Sequence, residues 1–206
     1  MKYCRIPDGI TSWLLRPTQF SAILPHSDAR SLVPLVPLAS LGTTFQAMSD
    51  IDPHVDIGHV HLKVANLERA IEFYHGVLGF RLVMRYGAQA AFLAAGGYHH
   101  HIGLNTWESL GGSPPAPGTT GLYHTAIRYP TRAALADALR RLQKAGIPLN
   151  GASDHGVSEA LYLRDPDQNG VELYRDRPEA EWPRSPDGSI TMFIQPLDLD
   201  SLLAEP

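Results

Sequence analysis

The sequence predicts an α+β fold made of two similar units, each with one strand, one helix and about three further strands. Three observations support this. An alternating polar and apolar pattern, His59–Val64, occurs again as His124–Tyr129. Each pattern is followed by an amphipathic helix, and each helix is followed by short runs typical of strands. Two such units side by side would form a curved mixed sheet whose inner face is a polar cup.

The first unit covers residues 57–107. Its first strand, 57–65, turns apolar side chains to one face and histidines to the other. The helix that follows has apolar residues at three- and four-residue steps, with Asn66 as N-cap and Gly79 just beyond its end. Three strands are expected at 80–86, 89–95 and 99–106, before a glycine- and proline-rich linker at 108–120.

The second unit covers residues 121–175. A strand at 122–129 leads into a helix at 132–145, which begins after the N-cap Thr131 and ends at Gly146. Further strands are expected at 148–153, 159–164 and 171–174, with a hairpin turn at 165–170.

The length of 206 residues suits one core with additional segments rather than two large domains. Residues 1–50 carry five prolines and no sustained period, so we interpret them as an irregular N-terminal extension, with Met48 as a candidate native start. The domain itself is expected at 51–178. Residues 179–206 then form a C-terminal tail, with a short apolar stretch at 190–194 and a segment at 197–203 that suits a helix packed on the domain or on a partner.

Composition excludes several function classes. With 21 acidic against 17 basic residues, the chain has no positive surface for nucleic acid or an anionic membrane. The sequence contains no stretch of about 20 apolar residues, so no transmembrane helix is predicted. The single cysteine excludes a disulfide framework and suits a reducing compartment, so a cytoplasmic location is expected. Ten histidines stand out, because histidine is the commonest metal ligand and transfers protons near neutral pH.

Three side chains from different strands are candidate metal ligands. Strand alternation places Glu172 on the polar face of the second unit, the face that also carries His124, and His59 holds the matching position in the first unit. Two imidazoles and one carboxylate form the set that binds non-haem Fe(II) and leaves positions open for substrate and dioxygen. The alternative is that all three are ordinary polar residues on a half-exposed sheet. The equivalent placement of the two histidines argues against it.

Four segments together resemble the vicinal oxygen chelate superfamily, which includes glyoxalase I, type I extradiol dioxygenases and bleomycin-resistance proteins: residues 57–64, 73–80, 123–127 and 165–174. The resemblance extends over about residues 55–176. It implies paired βαβββ modules around a metal-binding cup, with His59, His124 and Glu172 as the metal ligands.

Within that superfamily the chain is most similar to the catechol 2,3-dioxygenase-like branch. Tyr162 and His100 stand where this branch has a site tyrosine and an acid/base histidine, although alternation alone does not decide which of His99, His100 and His101 faces the cup. His155 resembles a further site histidine. It lies seven residues before Tyr162, where several relatives have nine, so it is either a substrate contact or a loop residue.

The resemblance implies an Fe(II)-dependent extradiol dioxygenase that cleaves a catechol-type aromatic with dioxygen in aromatic compound catabolism, with Mn, Zn or Ni as alternative metals. A homodimer is expected, because modules of this superfamily often pair between chains. One alternative is a glyoxalase-like isomerase or lyase. Its site needs a fourth metal ligand, which is a carboxylate. The matching position in this chain is Gly103, which supplies no ligand. The other alternative is a non-catalytic protein that sequesters a small molecule such as a drug, for which the ligand set is unnecessary.

Overall fold

The computed structural model describes residues 50–206, of which residues 51–206 form one compact unit. The expected N-terminal extension and the candidate start at Met48 therefore lie outside the described residues, apart from Asp50. Within the described part of the chain, no helix is long and apolar enough to cross a membrane.

The first module forms a four-stranded sheet with the strand order β1-β4-β3-β2. β1 and β4 are parallel, and the other neighbouring strands are antiparallel. Its elements, in chain order, are β1 (Val60–Lys63), α1 (Leu67–Ile71), a π-helix (Glu72–Val77), β2 (Arg81–Tyr86), β3 (Ala90–Ala94) and β4 (Ile102–Asn105).

The helix of the first module begins as predicted, because the Asn66 side chain accepts a hydrogen bond from the backbone N–H of Arg69 at 3.0 Å. Its second half differs from the prediction and winds as a π-helix, in which Leu78 N–H donates to the carbonyl of Phe73. The wider turn buries two successive aromatic side chains, Phe73 and Tyr74, in the core.

The second module forms a five-stranded sheet with the order β5-β8-β7-β6-β9, in which β5 and β8 are parallel. Its elements are β5 (Thr125–Arg128), α2 (Arg132–Ala145), β6 (Gly151–Asp154), β7 (Ser158–Arg164), β8 (Gly170–Asp176), a 3₁₀-helix (Glu179–Glu181), β9 (Gln195–Pro196) and α3 (Leu199–Leu203). The C-terminal helix α3 packs on α2 of the same chain and buries Leu202 completely.

The α+β class is confirmed, and the helices and one face of each sheet share a single apolar core. One detail differs from the expectation of one curved sheet. The two modules have separate sheets, and β1 and β5 are both edge strands that do not pair with each other. Each module therefore presents its own open polar face.

A buried turn holds the two modules together. Asp165 accepts a hydrogen bond from the Tyr74 hydroxyl at 3.0 Å, and Asp167 accepts one from the Arg69 guanidinium at 2.7 Å. The backbone N–H of Ala65 also donates to Asp167. The sequence indicates only a hairpin turn here, whereas the structure shows that its carboxylates fix the first module to the second.

Candidate metal centre

Close approach of β5 and β8 positions His124. Ala126 pairs with Glu172 in the parallel register, and His124 immediately precedes β5 beside Gly170. A Cβ atom on Gly170 would overlap the carbonyl oxygen of Tyr123 and lie 3.0 Å from the Cβ of His124. Because glycine stands at this position, the imidazole of His124 reaches the carboxylate of Glu172.

His124 and Glu172 present two metal donors to one point. Nε2 of His124 lies 2.9 Å from Oε2 of Glu172, and both side chains are partly buried. Two ligands about 2.1 Å from one metal ion, at right angles around it, lie about 3 Å apart. The observed separation fits that arrangement, so these two residues suit a shared metal ion.

Tyr162 and His155 extend the same cluster. The hydroxyl of Tyr162 donates to Oε1 of Glu172 at 2.9 Å, and Nε2 of His155 lies 2.8 Å from that hydroxyl. Burial, together with the neighbouring Glu172 carboxylate, raises the pKa of Tyr162 well above its usual range. The hydroxyl therefore keeps its proton and remains a hydrogen-bond donor at neutral pH.

An open cavity of about 380 Å³ lies over this cluster, within the size range of small-molecule sites. Its walls come from the second module and from the C-terminal tail, and they include Tyr123, His124, Ser153, His155, Tyr162 and Ile194. The sequence pattern does not place Ile194 at this cavity. The only signal was the short apolar stretch at 190–194, which has no period that indicates where it packs.

The first module carries a separate histidine cluster. The rings of His59 and His100 lie 4.6 Å apart between centroids, and the ring of Phe92 lies 5.0 Å from that of His100. His101 is turned away, with its ring against Tyr98 and its Nδ1 accepting from a backbone N–H. His100 therefore contacts His59. Burial, and then the neighbouring imidazoles, lower the pKa of His100, which favours its neutral form.

Gly103 lies at the position in the first module that matches Glu172 in the second. In the two parallel pairs, His61 is opposite Gly103 just as Ala126 is opposite Glu172. The ring of His61 covers Gly103 so closely that a Cβ atom there would lie 2.9 Å from it. The first module therefore has an imidazole ring where the second has a carboxylate.

The described chain brings the predicted site residues together in two groups. His124, Glu172, Tyr162 and His155 form one group, and His59 and His100 form the other. Within residues 50–206, no three histidine, cysteine, aspartate or glutamate side chains are placed to hold one metal ion. One chain therefore does not bring His59 to His124 and Glu172, and the three-ligand set stays a prediction.

Curated relatives of this chain are dioxygenases by name. The chain is 40% identical over 159 residues to a catechol-2,3-dioxygenase of Bacillus subtilis (strain 168), a match covering 77% of this chain and 54% of the relative. It is 37% identical over 122 residues to biphenyl-2,3-diol 1,2-dioxygenase 3 of Rhodococcus globerulus, covering 58% of this chain and 63% of the relative. The matches therefore cover more than half but less than two thirds of the length of each of these relatives.

Solved structures share the fold. A glyoxalase/dioxygenase from Nostoc punctiforme matches 63% of this chain and 98% of its own, with a TM-score of 0.52 and 19% identity. A glyoxylase/bleomycin resistance protein/dioxygenase domain from Frankia sp. EAN1pec matches 60% of this chain and 98% of its own, with a TM-score of 0.51 and 24% identity. The family model described as "Glyoxalase/Bleomycin resistance protein/Dioxygenase superfamily" matches residues 56–173. Since this match covers more than half of the chain and includes both modules, the protein belongs to the glyoxalase/bleomycin resistance protein/dioxygenase superfamily.

Proposed function

We propose that this protein is an Fe(II)-dependent extradiol dioxygenase that opens a catechol-type ring with dioxygen, as part of aromatic compound catabolism. The observation that carries the proposal is the 2.9 Å approach of His124 Nε2 and Glu172 Oε2 beside a small-molecule cavity. The printed names of the curated relatives support the same class of substrate.

In this proposal His59, His124 and Glu172 hold the metal, with Mn, Zn or Ni as alternatives to iron. The ion serves as a template and Lewis acid that lowers the pKa of the substrate hydroxyls. His100, neutral and adjacent to His59, accepts and returns protons, a role typically worth about 10²- to 10⁴-fold in rate. Tyr162 orients Glu172 through its donated hydrogen bond, and His155 holds Tyr162 from the other side.

We further propose that a second copy of the chain supplies the missing ligand. Each chain has the half-site with His124 and Glu172 and also the half-site with His59, so a two-fold pair that joins unlike halves makes two complete sites. Exposed apolar side chains lie on or beside the open face of the first sheet, and such a pair would cover them: Met84, Tyr86 and Trp107 are each more than half exposed. We also expect a cytoplasmic location, because a single cysteine suits a reducing compartment.

Two observations disfavour the alternatives. A glyoxalase-like isomerase or lyase needs a carboxylate at Gly103, where the structure has the ring of His61. A non-catalytic sequestering protein does not require two metal donors at ligand spacing with a third residue oriented on one of them.

The proposal is tested by anaerobic purification with Fe(II), followed by exposure to a panel of catechols in air. We expect oxygen uptake and a yellow ring-fission product that depend on iron. A Glu172→Ala variant should lose both. Glu108→Ala should behave as the unmodified protein, because Glu108 is exposed and, among residues 50–206, pairs only with Lys63. No oxygen uptake over a broad panel by protein with bound iron would overturn the proposal.

A further inference from the structure

The C-terminal tail adds a strand to the second sheet at the mouth of the cavity. β9 pairs antiparallel with β6, with Pro196 opposite Ser153 and Gln195 opposite Asp154. The backbone N–H of Phe193 donates to the carbonyl of His155 at 3.3 Å, just outside the paired residues. Residues 190–196, called the tail segment below, thus run beside the loop that carries His155.

Close packing on a glycine fixes the backbone at Phe193. Gly156 has φ of +77°, and a Cβ atom there would lie 2.6 Å from the Phe193 ring and 2.7 Å from Pro183. The aromatic ring therefore lies against bare backbone, in a contact that no larger residue at position 156 allows. This contact holds the main chain of the tail segment in a defined place next to His155.

The main-chain carbonyl of Phe193 contacts the far side of the His155 ring. Nδ1 of His155 lies 3.1 Å from this oxygen. Because a carbonyl oxygen only accepts hydrogen bonds, Nδ1 must carry a hydrogen atom. Nε2 of the same ring lies 2.8 Å from the Tyr162 hydroxyl, whose single hydrogen is donated to Glu172. The hydroxyl oxygen therefore accepts from Nε2, and both ring nitrogens of His155 act as donors.

The next residue of the tail segment faces the cavity itself. Ile194 lines the cavity, and this residue is 80% exposed. An isoleucine that remains in solvent while its neighbours are anchored is available to contact a bound apolar group. The tail is also held at its far end, where Arg132 contacts Glu205 at 2.8 Å and the carbonyl of Ser201 at 3.0 Å.

We propose that the tail segment belongs to the functional site and contributes to it in two ways. The Phe193 carbonyl positions His155 by keeping the hydrogen on Nδ1, and Ile194 forms an apolar wall that limits the size of the substituent on a bound catechol. The role of Ile194 rests on the proposed function, which supplies the class of ligand. The hydrogen bond between the Phe193 carbonyl and His155 does not depend on that function.

The hold on His155 is tested by ¹⁵N NMR of the full chain. We expect the Nδ1 of His155 to be protonated in the unmodified protein. Phe193→Ala removes the ring packed on Gly156, and Gly156→Ala displaces it. Both variants should weaken the contact between the Phe193 carbonyl and Nδ1 and change the His155 signals. Met192→Ala is the matched control, because Met192 is an exposed neighbour that does not line the cavity. Unchanged His155 signals in both Phe193→Ala and Gly156→Ala would overturn this part.

The wall is tested by anaerobic NMR titration with catechol and with 4-tert-butylcatechol. Ile194→Trp should weaken binding of 4-tert-butylcatechol at least tenfold more than binding of catechol, and Ile194→Ala should favour the bulkier compound. Met192→Trp should change neither dissociation constant. Equal changes for both compounds, in protein that still cleaves catechol, would overturn the wall alone. If neither compound binds the unmodified protein, the wall and the proposed function fail together, while the His155 signals still decide the first part.

Discussion

The hydroxyl of Tyr162 donates a hydrogen bond to Oε1 of Glu172 at 2.9 Å, and the two residues are direct partners across β7 and β8. The other oxygen of the same carboxylate faces His124. Tyr162 therefore fixes the orientation in which Glu172 presents a donor to the candidate metal centre.

Replacement of Tyr162 by Phe should weaken the metal centre without unfolding the protein. Residues that orient a metal ligand typically contribute about 10- to 100-fold in metal affinity or activity. We expect a loss of that size in Fe(II) affinity, measured by competition with a chelator. Tyr174→Phe is the control, because Tyr174 lies two residues further along β8 and its hydroxyl makes no hydrogen bond in the described residues. Equal affinity in Tyr162→Phe and the unmodified chain would contradict this role.

Strand alternation predicts correctly that Tyr162 and Glu172 lie on the same face of the second sheet. Side chains on neighbouring strands share a face when their parity agrees, so Tyr162 and Glu172 could be placed together from the sequence. The caps of both helices were also predictable, because Asn66 and Thr131 accept from backbone N–H groups in their own first turn. Local chemistry of this kind is readable from neighbouring residues.

The features that the sequence does not predict depend on contacts between distant segments. Asp165 and Tyr74 are far apart in sequence, and nothing in a hairpin turn indicates that its carboxylate reaches another module. The same holds for Ile194, whose apolar stretch has no period. The equivalence of His59 and His124 indicates a shared role but does not decide whether one chain or two bring them together.

Mixing two inactive variants should restore metal binding if the site is shared between copies. His59→Ala and Glu172→Ala each remove one predicted ligand from every site. A mixed dimer, however, keeps one site in which all three ligands remain. After co-refolding at equal amounts, half of the dimers are mixed. We therefore expect about a quarter of the Co(II) sites of the unmodified protein, measured by visible absorption and metal content.

The control for this experiment pairs His124→Ala with Glu172→Ala. Both substitutions fall in the same half-site, so no dimer of these two variants has a complete ligand set. Recovery with this control pair, or no recovery with the His59→Ala and Glu172→Ala pair, would contradict a site shared between copies. Neither result depends on turnover of a catechol.

A methyl group at position 170 should disrupt the metal centre by displacing His124. The Cβ atom of Gly170→Ala would overlap the Tyr123 carbonyl oxygen, so the start of β5 must move. Overpacking of this kind typically costs about 1–3 kcal/mol. We expect a loss of that size in urea unfolding, together with loss of bound metal. Gly97→Ala, at a position with open space, should change neither, and a stable Gly170→Ala variant with full metal content would refute the argument.

Loss of the Tyr74 hydroxyl should weaken the connection between the modules. Tyr74 is almost completely buried, and burial raises the pKa of its hydroxyl well above the usual range, so it donates to Asp165 in its neutral form. Tyr74→Phe leaves a buried carboxylate with one donor fewer, which typically costs about 1–3 kcal/mol. Urea unfolding measures the change. The control is Tyr86→Phe, at an exposed tyrosine, which should be neutral; equal stability of the two variants would argue against the connection.

The carboxylate of Glu159 should be the most sensitive charged group in the second module. It is only 3% exposed, and three guanidinium groups contact it at 2.9–3.1 Å: those of Arg132, Arg175 and Arg177. Removal of one partner from a buried ion pair typically costs about 3–5 kcal/mol, because the remaining charges lose their compensation. Glu159→Gln should therefore lower the free energy of unfolding by about 3 kcal/mol. Because Arg132 also holds Glu205 of the tail, the variant should also increase hydrogen exchange in α3. Glu179→Gln, in an exposed pair with Arg184, should change little, and a similarly small effect of Glu159→Gln would show that the cluster does not anchor the tail.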